Sequence, residues 1–186
     1  MQRISEFFYR KTSFWVVLIT LALFVIFLFM VLPAEAERSN EVLGDLPSPD
    51  TSFYYSKADL YQMAEAYGQE GRYYYVDSRI TFDIVWPFVY TLFLINAISW
   101  VLNKTILDES KFRLLNLVPL AGILFDFLEN ITNMVVMFKY PIRVDFLASI
   151  AGVITSIKWI FVGGGMTILV LAIFLWLAVQ TNLIKT

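Results

Sequence analysis

Asp126, Glu129, Asn130 and Asn133 stand inside an apolar run from Leu114 to Phe138, LLNLVPLAGILFDFLENITNMVVMF. At about 100° per residue, a helix places these four within a sector roughly 100° wide. Pro119, Gly122 and Met137 extend that side, while Leu124, Phe127, Leu128, Ile131 and Val135 take the remaining surface. Two carboxylates one turn apart can act as acid and base, or can bind a proton or cation, and amides beside them can orient both. The run is long enough to cross a bilayer, which takes about 20 helical residues. An acid facing lipid at its centre costs about 2.5 kcal/mol or more. This face must therefore look into protein or water, and the other helices are needed to cover it.

Two further polar side chains are expected at the same depth. With helix three reaching its outer end near Phe138, Asp126 lies about 18 Å below it. Helix two, taken from Asp83, puts Asn96 about 20 Å down, and helix four, taken from Phe146, puts Lys158 about 18 Å down. The expected buried polar layer is therefore Asn96, Asp126, Glu129, Asn130, Asn133 and Lys158. A Lys beside one or two carboxylates keeps at least one of them ionised and offsets its desolvation. Three readings of the layer stand side by side. It is an ion or acid–base site; it is an internal salt bridge with amide hydrogen bonds worth about 0.6 kcal/mol each; or Lys158 snorkels to the interface with no partner.

Composition narrows the chemistry. Of 186 residues, 59% are hydrophobic and 16% charged, and the mean hydropathy is +0.67, which points to a membrane protein. The net charge of −2 speaks against a nucleic-acid binder. The chain has no Cys and no His, which removes thiolate chemistry, the usual metal and haem ligands and the commonest acid–base group. Any reaction must run on carboxylates, Lys, Tyr, Ser or Thr. No metal and no cofactor is expected; a bound lipid remains open. The 17 Phe are expected as lipid-facing bulk.

The elements that position these residues are four transmembrane helices in a single membrane domain spanning 1–186, at about 14–32, 83–102, 114–138 and 146–179. The uncharged run of nineteen residues from Phe14 to Leu32 is longer than a signal h-region, so a retained signal anchor is expected despite the Ala34-Glu35-Ala36 that follows. The segment 33–80 has nine acidic residues against four basic ones. Within it, Ser56-x-x-Asp59 forms a capping box before Leu60, Met63, Ala64 and Tyr67, with Gly68 as the stop. The spacing predicts a short amphipathic helix on the membrane surface, with Tyr73, Tyr74 and Tyr75 at headgroup depth. Helix four is longer than a bilayer, so either it tilts and projects or Gly163-Gly164-Gly165 bends it, unless those glycines serve close helix contact. Seven basic residues (Arg3, Arg10, Lys11, Lys104, Lys111, Arg113, Lys185) fall in short segments on one side against two in KYPIRVD on the other. The positive-inside rule then puts both termini in the cytoplasm and 33–80 outside.

Tyr67-Gly68-x-Glu70-Gly71-Arg72, Phe82-Asp83 and Pro87-x-x-Tyr90, followed by Phe125-Asp126-x-x-Glu129-Asn130, Tyr140-Pro141 and Lys158-Trp159, resemble the pattern of an uncharacterised family of four-helix bacterial membrane proteins. The resemblance covers about residues 56–165. It implies this topology and the choice of these residues, and it carries no assigned activity; a bacterial inner-membrane location is expected. Vitamin K epoxide reductases share the helix count but depend on cysteines absent here. Small multidrug transporters share the membrane Glu but are far shorter.

The first functional expectation is a non-catalytic subunit or assembly partner of a larger membrane complex. Leu60, Met63, Tyr67, Tyr73, Tyr74 and Tyr75 would make its partner contacts, and the polar layer would fix helix packing. The alternatives are a membrane-embedded enzyme on a lipid or isoprenoid, with Asp126, Glu129 and Lys158 at its centre, and a proton- or cation-coupled carrier using the same carboxylates.

Overall fold

The computed structural model describes residues 1–181, and these form only helices and connecting turns; Lys185 lies outside them. The helices are α1 (Gln2–Lys11), α2 (Phe14–Ile26), α3 (Leu32–Leu43), α4 (Lys57–Ala66), α5 (Gly68–Ile80), α6 (Phe82–Leu102), α7 (Val118–Lys139) and α8 (Asp145–Gln180). Four helices are long and apolar enough to cross a membrane: Phe14–Leu43, Gly68–Leu102, Lys111–Lys139 and Asp145–Gln180.

The first two spans run past their expected bounds for local reasons, while in the third residues Lys111–Leu117 form a 3-10 segment and the α-helix starts at Val118. A single wide π turn, Phe27–Val31, joins α2 to α3 just before Pro33. A proline ring clashes with the carbonyl four residues earlier, and a widened turn relieves it. Helix two is prolonged outward because α5 follows the α4 stop at Gly68 and ends one residue before α6 begins. Gly68 takes φ +62, where a side chain would be strained, and this lets α4 end and α5 start without a linker. α8 continues as α-helix through Gly163–Gly165, so the glycines do not interrupt it. A Cβ on Gly165 would press on Leu94 and Pro119, and one on Gly122 on Val162, so these two serve close helix approach.

α7 and α8 pack along their lengths, α6 lies against both, and α2 leans chiefly on α6 with the centre of its span unburied. Two apolar cores result. The lower one joins Tyr90, Phe93, Leu94 and Ile98 of α6 to Leu169 and Ala172 of α8. The upper one joins α4 and α5 to the C-terminal end of α7 and the N-terminal end of α8 through Leu60, Met63, Tyr67, Tyr75, Val136 and Ala151.

This second core corrects the surface-helix expectation. The capping box of Ser56 and Asp59 is present, but the apolar face of α4 lies on α7 and α8, with Leu60 0% exposed. The hydrophobic effect is satisfied as well by packed helices as by lipid, and the C-terminal end of α7 and the N-terminal end of α8 provide that surface. Segment 33–80 is a cap, not a surface float.

Candidate functional site

The polar layer lies between the two cores. Glu129 on α7 forms an ion pair with Lys158 on α8; their side chains are 0% and 7% exposed. Thr155, one turn before Lys158, bridges Glu129 Oε1 at 2.6 Å and the Tyr55 hydroxyl at 2.9 Å. Asn133 donates to the same hydroxyl at 2.7 Å. Burial pushes the Tyr55 hydroxyl well above the usual phenol pKa, so it remains a neutral donor.

Beside this arm runs a second. Arg79 holds Asp50 at 2.6 Å and Asp83 at 2.8 Å, and its guanidinium stacks 4.3 Å from the Tyr75 ring. Burial raises the Asp50 carboxyl, but the Arg79 and Lys158 charges outweigh it and hold the group below the ordinary carboxylate range. Pro87 cannot donate a hydrogen bond, so the Asp83 carbonyl four residues earlier is left over inside the helix. Asn130 supplies the missing donor at 3.4 Å. The same amide reaches Asp126 at 3.2 Å, and Tyr90 donates to Asp126 at 2.8 Å.

A strap from Ser48 to Tyr55 closes the layer from above. It lies on the Gly152–Ser156–Trp159 face of α8, where Ser156 donates to the Phe53 carbonyl at 2.9 Å and Trp159 to the Ser52 carbonyl at 3.0 Å. A Cβ on Gly152 would collide with the Tyr55 carbonyl oxygen. Thr155 and Lys158, on the adjoining face, point into the layer. One helix therefore holds both the strap and the ion pair.

Of the six residues expected in the layer, five meet there and Asn96 does not. It accepts from Thr12 at 2.7 Å and donates to the Leu92 carbonyl at 2.7 Å, near the opposite end of the bundle. The depth estimate misplaced it because α6 pairs with α7 through Asp83 and Asn130. Asp83 is therefore level with the interior of α7, not with its outer end. From Trp176, which packs on Trp100 beside Lys104, the rise along α8 to Lys158 is about 27 Å.

The expected partner contacts are also redistributed. Leu60, Met63, Tyr67 and Tyr75 are buried within the cap, Tyr74 donates to Glu35 at 2.9 Å, and only Tyr73, 57% exposed, faces outward. Asp50, Tyr55, Arg79 and Thr155 escaped the sequence reading, and Tyr90 entered it only through the resemblance. Arg79 and Asp83 carry an i, i+4 signal and Tyr90 lies two turns from Asp83 on one face. Asp50 and Tyr55 carry none, because only the chain's return over α8 brings them in.

Compared with family models, curated proteins and solved structures, the chain matches none. The likeness to four-helix bacterial membrane proteins therefore rests on its short motifs. Of those residues, Asp83, Tyr90, Asp126, Glu129, Asn130 and Lys158 all meet in the polar layer.

Proposed function

We propose that this chain is a multi-pass protein of the bacterial inner membrane in which Asp126 takes up and releases a proton or a small monovalent cation beneath the outer cap. The observation that carries this is the charge count of the layer. Asp50, Asp83, Asp126 and Glu129 face only Arg79 and Lys158, so full ionisation would leave two negative charges between two apolar cores. Arg79 pairs Asp50 and Asp83, and Lys158 pairs Glu129. Among the described residues, no cation lies within ion-pair distance of Asp126, whose side-chain donors are the neutral Tyr90 and Asn130. A purely structural layer gains nothing from uncompensated charge.

The test is infrared difference spectroscopy of the reconstituted protein between mildly acidic and mildly alkaline buffer, and between sodium and a bulky organic cation. A carboxyl band that changes with pH or sodium and vanishes in Asp126→Asn is the expected result. A spectrum that Asp126→Asn leaves unchanged would sink the assignment.

The subunit reading has its own support in the cap. Phe53, Tyr54 and Tyr73 are exposed aromatics there, and a groove of about 330 Å³ opens between the strap and α4, lined by Tyr54, Tyr55, Asp59 and Gln62. An enzyme using Asp126 and Glu129 as acid and base has less support, since Glu129 is enclosed and both its oxygens are engaged by Lys158 and Thr155.

The orientation proposed with this function puts both termini in the cytoplasm and the cap outside. A reporter fused after Thr186 is expected to work only in its cytoplasmic form, and one inserted near Asp45 only in its exported form. The opposite pattern would invert the protein.

A further inference from the structure

The end of the molecule away from the cap carries a second built surface. α1 does not continue into α2, because Thr12 and Ser13 are extended and Ser13 starts a new helix by accepting from the Val16 amide. One side of α1 is fixed to the bundle. Ser5 donates to Asn116 at 2.8 Å, Tyr9 donates to the Arg113 carbonyl at 2.8 Å, and the Arg113 guanidinium lies 3.7 Å over the Tyr9 ring. That anchoring leaves two other sides free. Ile4, Phe7 and Lys11, spaced three and four apart, share one of them, with Ile4 and Phe7 46% and 55% exposed. Arg3 and Arg10 share the next, and both are exposed. Among the described residues, none of Arg3, Arg10 and Lys11 has an acidic partner.

A helix that is tethered on one side, apolar on the second and net basic on the third, where the exposed Glu6 stands beside Arg3 and Arg10, fits the plane where acyl chains meet headgroups. Lys104 over the Trp100 ring at 3.6 Å, beside Trp176, marks the same level on the bundle. We infer that α1 is an in-plane foot that binds anionic phospholipid headgroups through Arg3, Arg10 and Lys11, with Ile4 and Phe7 seated among the acyl chains. The charge on the three side chains selects the anionic headgroup. The Ser5 and Tyr9 hydrogen bonds hold the foot at a fixed height, so its basic side is presented to the leaflet without the cost of ordering a free helix.

The absence of cysteine makes the test direct, since Gln2→Cys gives a single labelling site on the full chain. A fluorophore there is measured in bilayers doped with either brominated phosphatidylglycerol or brominated phosphatidylcholine at equal mole fraction. The anionic lipid is expected to be enriched at the probe by roughly fivefold or more, the effect of a single basic residue at a charged surface. High salt should reduce the enrichment. R3Q/R10Q/K11Q should abolish it while leaving the melting temperature in zwitterionic bilayers unchanged, which shows that the fold survives. Equal quenching by the two lipids, or a preference that persists in the triple variant, would overturn the assignment.

Discussion

Lys158→Met is expected to be the most damaging single substitution in the bundle, lowering stability by about 3–5 kcal/mol through loss of the partner of an enclosed carboxylate. Glu129 is 0% exposed and sits between two apolar cores. With the ammonium gone, its remaining donor is Thr155, and a hydroxyl cannot balance a full charge. The substitution itself is close to isosteric, so packing loss contributes little. The check is thermal unfolding of the purified protein beside the double variant Glu129→Gln/Lys158→Met. That pair removes both charges and keeps an acceptor for Thr155, so it is expected to regain most of the loss. A single variant as stable as the wild type would mean that the Lys158 charge is not needed to balance Glu129.

Gly152→Ala is expected to detach the strap. The added methyl would occupy the position of the Tyr55 carbonyl oxygen, a backbone atom that no rotamer change can move. Overpacking of this kind costs about 1–3 kcal/mol. Here the strain is relieved by lifting Ser52–Tyr55 off α8, with loss of the Ser156 and Trp159 hydrogen bonds. Hydrogen exchange over residues 48–55 should rise steeply while exchange in α6 and lower α8 stays low. Gly163→Ala is the control, since nothing lies within 4 Å of a Cβ there; alanine in place of glycine inside a helix should be neutral or stabilising. Equal protection of the strap in both variants would show that its position does not depend on the Gly152 contact.

These two substitutions also divide what the chain declares locally from what it does not. Four helices, their apolar lengths and the polar face of helix three follow from residue type and a period of 3.6, which are properties of neighbouring positions. Asp126, Glu129, Asn130 and Lys158 were legible for that reason, since a charged or amide side chain in an apolar run has to be explained wherever the run folds. Pro87 carried a further signal, a carbonyl at Asp83 in want of a donor, though not that Asn130 would supply it. Depth was not legible. Taking Asp83, Phe138 and Phe146 as one level ignores that α6 meets α7 through Asp83 and Asn130, and it puts Asn96 in a layer it does not reach. The tertiary structure alone decided that α4 buries its apolar face on α7 and α8, that Gly152 leaves room for the Tyr55 carbonyl, and that Asp50 meets Arg79. Contacts between residues far apart in the chain depend on how its elements return to one another, and no local period records that return.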